Sequence, residues 1–311
     1  MQLLLQSNIK FCRSRTHMPL KDLRNLIILS IIWSGSFLFM LLSIHEVGPM
    51  PLIEIRAFAG GAFLMMLVIA LGKMPSLIQN WRTISVAGLF NSAFPFLMLA
   101  YAAQHLTSGL LAILNAMTPL FGGLIARVWL KERMTAPRIG GLVLGFTGIL
   151  ILVSDDLQSS SGATHLLPVI AGLGAPLCYA IAACYSGLYL KTVDPMASAA
   201  GSVGTTALIF MPFALFTWPD SAQVSVTAWS AAIALGVLCT GLAYVLLFRL
   251  LASVGPTKTI TVTFLVPPMG VMWGVIFLGE PLTPAIVVGA CVVLAGTFLA
   301  TGVRLRSTPK N

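Results

Sequence analysis

Arg56 and Glu54 are charged side chains set well inside a long apolar run, and ionisable groups placed there are costly unless they serve a purpose. The arginine offers a planar, bidentate fork to a carboxylate or phosphate, or one half of a pair between helices. The carboxyl group of Glu54 is suited to carrying a proton. The two are two residues apart, so on one helix they point to different sides and are poor partners for each other. At a rise of 1.5 Å per residue they lie roughly 6–9 Å below the end of that helix. A second set of residues surrounds a ligand rather than reacting with it. Trp33, Ser36 and Met40 share one helical face, and Tyr179, Ala182 and Ser186 share another. Aromatic walls with sparse hydroxyls and amides suit a small amphipathic molecule. Asn91 with Pro95, Asn115, and Thr240 with Tyr244 would complete a central cavity. The expected substrate-binding set is therefore Trp33, Ser36, Arg56, Asn91, Asn115, Tyr179 and Tyr244, with Glu54 as the proton-coupling group. The competing use of the aromatics is packing or lipid contact, and that of Glu54 is a boundary residue at the headgroups.

These residues need elements that hold them in an apolar medium. The chain has 311 residues, 58% of them apolar and 9% charged, against roughly 25% charged in a soluble domain. The apolar stretches must face lipid, and a helix needs about 20 such residues to cross. Ten runs qualify: 25–44, 50–71, 83–103, 107–129, 137–153, 167–190, 197–217, 227–249, 257–278 and 284–303. Helices satisfy their own backbone polar groups, as lipid requires. With the N-terminus placed inside, every one of the 18 Lys and Arg except Arg56 falls in an inner segment. The outer loops hold Glu46, Asp155, Asp156, Asp220 and Glu280 instead. Cytoplasmic loops are enriched in bases, so both termini are expected in the cytoplasm and the protein in the plasma membrane. Residues 1–20 read as a cytoplasmic extension, with Met18 an alternative start to Met1.

The halves 21–153 and 167–303 resemble each other. A shift of 148 superimposes Pro119 on Pro267, Gly122 on Gly270, Glu132 on Glu280, Thr135 on Thr283, Gly141 on Gly289 and Gly148 on Gly296. A shift of 146 matches Val47, Pro49 and Met50 to Val193, Pro195 and Met196, and places Trp33 and Ser36 on Tyr179 and Ala182. Five spans per half is odd, so the second half enters the membrane upside down. The fold expected is an all-α integral membrane protein of ten helices in two inverted repeats, an architecture of secondary transporters with a binding site between the repeats. On helix 4, Asn115, Thr118, Pro119, Gly122 and Ala126 share a face. Thr263, Pro267, Gly270 and Gly274 share one on helix 9. Pro119, Gly122, Pro267 and Gly270 are expected to serve helix packing or hinge bending. Gly141 and Gly145 form a GxxxG step, open to packing within the chain or to a homodimer.

The segments Ala-Met-Thr-Pro-Leu-Phe-Gly-Gly (116–123) and Trp-Leu-Lys-Glu-Arg-Met-Thr (129–135) carry a further signal. So do their second copies, Phe-Leu-Val-Pro-Pro (264–268) and Leu-Gly-Glu-Pro-Leu-Thr (278–283). With Ile-Ile-Trp-Ser-Gly-Ser-Phe (31–37), they resemble the EamA family of the drug/metabolite transporter superfamily over about residues 20–305. Ser34 stands where Gly usually follows Trp directly in that family. The resemblance implies ten helices, cytoplasmic termini and, commonly, export of amino acids or related metabolites. Import or exchange of anionic cargo such as nucleotide sugars is the alternative, but phosphates usually ask for several bases and only Arg56 lies in the spans. That favours neutral or zwitterionic cargo.

Other classes fit poorly. The net charge of +9 is distributed as a topology signal, not as the clustered surface that nucleic acid needs. Cys12, Cys178, Cys184, Cys239 and Cys291 form no CxxC pair, so neither a disulfide framework nor a zinc site is expected. His45, His105 and His165 fall in outer loops near acidic residues, the one arrangement from which an external metal site could be built. No HExxH, GxSxG or P-loop pattern occurs. No enzyme activity or cofactor is expected, and a non-transporting scaffold is the remaining alternative class. The expected partners are the bilayer, a small-molecule substrate and a coupling ion, with the proton favoured by Glu54. The loop motif Thr283-Pro284 reads as the cap and first turn of helix 10, which gives Glu132 and Glu280 a structural rather than a catalytic setting.

Overall fold

The computed structural model describes residues 18–129, 131, 134–158 and 166–301. The extension before Met18, Glu132 and His165 lie outside the described residues. The long elements are all helices: α1 Leu20–Val47, α2 Pro49–Ala70, α3 Trp81–Ala103, α4 Ser108–Trp129, α5 Ala136–Gln158, α6 Leu166–Tyr189, α7 Pro195–Phe216, α8 Val226–Val254, α9 Val262–Leu278 and α10 Pro284–Thr301. Among the described residues, nine of these are long and apolar enough to cross a membrane. The exception is α9, which is apolar but 17 residues long. It is preceded by the short helix Pro256–Thr259. The chain is an all-α, multi-pass membrane protein. Its outward faces carry large apolar side chains such as Phe58, Met66, Leu208 and Phe216. In water such a surface would be a liability, whereas in lipid it is the solvent-matched face.

The helices pack in a pattern that survives exchange of the first five for the last five. α1 packs on α8 and α9, as α6 packs on α3 and α4. α2 meets α7 and α8, as α7 meets α2 and α3, while α4 pairs with α9 and α5 with α10. The α5–α10 contact is made of backbone. A Cβ added at Gly148 would sit 2.9 Å from the carbonyl oxygen of Gly289, and one at Gly296 would sit 2.6 Å from that of Gly141. Gly148 and Gly296, one matched pair of the 148-residue shift, thus face Gly289 and Gly141, the other. Small residues give the close backbone approach that drives association where lipid offers no hydrophobic gain. The GxxxG step at Gly141 and Gly145 is therefore used within the chain.

Three of the long helices are irregular, and each irregularity faces the centre. α3 contains a π-helical turn at Leu89–Ala93, directly before Phe94 and Pro95. α8 contains one at Val237–Leu242. Proline at 95 cannot donate to the carbonyl of Asn91, which leaves the ladder free to widen there. α4 is interrupted after Asn115 and resumes at Thr118. Pro119 cannot donate to the Asn115 carbonyl, and the Thr118 hydroxyl donates to it instead at 2.7 Å.

At one end of the bundle, Asp194 caps α7 by accepting from the backbone N–H of Met196 and Ala197, at 2.9 and 3.2 Å. It also pairs with Lys73. Burial alone would raise the Asp194 carboxyl, but the hydrogen bonds from Lys73 and the helix start outweigh it and hold the group below the ordinary aspartate value.

Candidate functional site

A cavity of about 260 Å³ lies among α1, α2, α3, α4, α6, α8 and α9. Trp33, Ser36, Arg56, Asn91, Asn115, Tyr179 and Tyr244, all singled out from the sequence, line it together. Glu54 does not. It is buried on α2 with Oε2 lacking any hydrogen-bond partner among the described residues. Met40 and Ala182 are packed in the interior rather than at the cavity wall.

Arg56 is 8% exposed. Its position follows from a glycine contact: a Cβ at Gly60 would fall 2.8 Å from the Gly236 carbonyl oxygen and 3.0 Å from Thr240. With no side chain there, α2 lies directly on the π-turn of α8. Arg56 Nε then donates to Thr240 Oγ1 at 3.1 Å, and Thr240 in turn donates to the Leu235 carbonyl five residues back. The guanidinium carbon sits 3.7 Å from the centre of the Phe96 ring. Among the described residues no carboxylate pairs with Arg56. The guanidinium is thus oriented by a hydroxyl and a ring face, and neither neutralises it. The helix-to-helix ion pair that the sequence allowed for it is not formed within the described residues.

The other polar groups are similarly poised. Asn91 Nδ2 donates to Tyr244 Oη at 2.7 Å, which ties the α3 π-turn to α8. Asn115 Oδ1 is buried and accepts no hydrogen bond from the described residues. The wall also includes Thr118 and Thr263, from the faces read on helices 4 and 9, and Phe37, Phe96 and Cys239, which sequence reasoning missed. The Cys239 thiol donates to the Ile32 carbonyl at 3.1 Å. Phe96 stands five residues beyond Asn91, off its face at α-helical spacing, and the π-turn brings it round to the cavity.

The four packing or hinge residues separate in the structure. Pro267 and Gly270 are buried, and an added Cβ at Gly270 would collide with Ala112 of α4. At Gly122 an added Cβ meets nothing within 4 Å among the described residues, so no helix abuts that position. Packing accounts for Gly270 and not for Gly122. Pro119 sits at the α4 interruption, half-buried. Among the described residues, no group of three or more His, Cys, Asp or Glu is placed to hold a metal ion.

An all-α bundle around a small, mostly apolar cavity with one oriented cation defines a multi-pass membrane protein built to hold a small molecule. Residues 25–154 and 166–302 each match the EamA-like transporter family. The chain belongs to that family of transporters. It is similar to an uncharacterized transporter, YoaV, of Bacillus subtilis, 25% identical and covering 90% of this chain and 97% of that one. It is also similar to a probable terminal-alkyne amino-acid exporter of Streptantibioticus cattleyicolor, 23% identical over 88% of this chain and 91% of that protein. A protein chain of known crystal structure shares the fold with a TM-score of 0.66, over 92% of this chain and 99% of its own, at 18% identity.

Proposed function

We propose that the chain is a secondary transporter that exports small neutral or zwitterionic metabolites carrying a carboxylate, such as amino acids or their derivatives. The observation that carries this reading is Arg56: buried, fixed by Thr240 and Phe96, and facing the cavity with no carboxylate partner among the described residues. A ligand carboxylate supplies the missing counter-charge in bidentate form. Asn115 Oδ1, buried and without a donor among the described residues, accepts from the ligand's ammonium group. Trp33, Tyr179 and Tyr244 enclose the apolar remainder. A volume near 260 Å³ suits cargo of amino-acid size. A nucleotide sugar, with two phosphates and two ring systems, asks for more room and more cations, which disfavours that alternative. The amino-acid export named for the Streptantibioticus relative agrees with this choice.

Transport proceeds by alternating access between two inverted five-helix repeats. Support comes from the exchange-symmetric packing and from the reciprocal glycine contacts of α5 and α10. In this reading Pro256–Thr259 and α9 together make the tenth span, and the distribution of Lys and Arg places both termini in the cytoplasm. Glu54, buried near one end of α2, carries the coupling proton. Flux of radiolabelled amino acids and related metabolites in proteoliposomes, with and without an imposed pH gradient, tests the proposal. Saturable flux of a carboxylate-bearing substrate that responds to the gradient is expected. Flux confined to substrates without a carboxylate would overturn the role given to Arg56.

A further inference from the structure

Glu280 follows the end of α9, and its carboxylate reaches across to the start of α4. Oε1 accepts from the Ser108 backbone N–H at 2.7 Å, and Oε2 accepts from the Ser108 hydroxyl at 3.1 Å and the Gly109 N–H at 3.3 Å. The partners are more than 170 residues apart in sequence, so this is a tertiary contact and not a local turn. Its geometry is prepared from both sides. Gly279, with φ +66°, closes α9 in the left-handed conformation that glycine tolerates. The Glu280 N–H then returns to the Gly274 carbonyl at 3.1 Å, aiming the side chain at α4. At Gly274 the absent Cβ leaves the room that the carboxylate and the Ser108 hydroxyl occupy. On the α4 side, the first backbone N–H groups of a helix have no partner of their own and favour an anion.

The contact has a position as well as a strength. From Ser108 toward the cavity, α4 and α9 stay in close touch, with a Cβ at Gly109 falling 3.1 Å from Val271 and one at Gly270 running into Ala112. Ala112 and Val266 are themselves cavity wall. In the opposite half of α4, Gly122 has nothing within 4 Å of an added Cβ, and Gly123 only the Arg138 side chain at 4.0 Å. α4 and α9 are therefore pinched at the Glu280 end and free of close contact in the other half of α4.

We propose that Glu280 is a positioning residue of the transport cycle: its carboxylate, bound to the start of α4, latches α4 to α9 and closes the cavity at that end, and it must let go for the cavity to open there. The latch rests on the alternating-access reading above, but its state can be read without any flux. In a full-length chain with its native cysteines replaced, Thr263→Cys places a thiol on the cavity wall. A membrane-impermeant maleimide then reports from which face of sealed vesicles the cavity is reached. Glu280→Gln keeps the shape but leaves one acceptor oxygen where two served. Labelling from the Glu280 face is expected to rise roughly tenfold or more, as expected when a charge-assisted contact is lost, and Ser108→Ala is expected to raise it less. Unchanged labelling in both variants, each folded and monodisperse, would overturn the latch.

A second variant keeps Glu280 intact. A Cβ at position 109 would lie 3.6 Å from Val271 Cβ, within the span of a disulfide. Oxidised Gly109→Cys/Val271→Cys protein is expected to lose flux and to regain it on reduction. Wild-type flux through the cross-linked protein would overturn the latch while leaving transport standing. Shifted labelling in a protein that moves no substrate would support the latch and sink the transport reading.

Discussion

Arg56→Met separates a binding arginine from a structural one, because the two roles predict opposite outcomes. The substitution keeps an unbranched apolar stem and removes the guanidinium and its charge. Stability loses the 3.1 Å bond from Nε to Thr240 and the contact with the Phe96 ring, the latter on the order of 2 kcal/mol when desolvated. Against this stands the desolvation of a buried guanidinium, about several kcal/mol, which no carboxylate offsets among the described residues. The Thr240 hydroxyl keeps its bond to the Leu235 carbonyl, so the variant strands no new polar group. Thermal unfolding in detergent is therefore expected to be unchanged or slightly raised. Binding behaves differently. A hydrogen bond to a charged group contributes about 1.5–3 kcal/mol, so loss of the carboxylate contact weakens apparent affinity roughly 10- to 150-fold. KM from proteoliposome flux and the unfolding midpoint together decide. A steep fall in the midpoint with KM unchanged would refute the reasoning and make Arg56 a packing residue.

Glu54→Gln is expected to abolish the dependence of flux on an imposed pH gradient while leaving the folded protein intact; retained pH dependence in proteoliposomes would remove the proton from that site. Gly148→Ala should lower the unfolding midpoint by the equivalent of about 1–3 kcal/mol, because its Cβ would meet Val293 at 2.7 Å. Gly122→Ala, with nothing nearby, should be neutral or stabilising by up to about 1 kcal/mol. Equal losses in the two would disprove the assigned helix crossing. Asp194→Ala should cost about 1–2 kcal/mol, chiefly as a lost cap, since the partly exposed pair with Lys73 adds little. The folded-state carboxyl is held below its ordinary value. Its stabilisation is thus present above the ordinary aspartate value and is lost as the pH falls through the lower, folded one. Asp194→Asn, which can still cap, should flatten that acid limb in a pH series of unfolding midpoints.

Helical periodicity made much of this arrangement legible. It placed Trp33 with Ser36, and Asn115 with Thr118, on shared faces, and the cost of a charge in lipid singled out Arg56. Periodicity states which residues share a face but not what the face meets. Gly122 and Gly270 match in the repeat, yet one lies open and the other abuts Ala112. Phe96 was missed because five residues from Asn91 is off that face in an α-helix and the π-turn brings it round, and Cys239 because it lies inside the second π-turn, where α-helical spacing does not apply. From the sequence Glu280 reads as a structural residue of its own loop. Its bonds to Ser108 and Gly109 depend on the approach of two distant segments, and no local spacing encodes that.

The π-turns at Leu89–Ala93 and Val237–Leu242 also make the protein sensitive to length. Each holds about one residue more than an α-helical turn would, so the polypeptide carries a surplus amino acid at each place. Excising one residue there would restore regular α-helical winding within the turn and leave the helix on either side facing as before. The span would keep its hydropathy and still insert. Yet the widened turn that presents Asn91 to Tyr244, or Thr240 to Arg56, would be gone. Single-residue deletions at these two places should therefore yield protein that reaches the membrane and is inert.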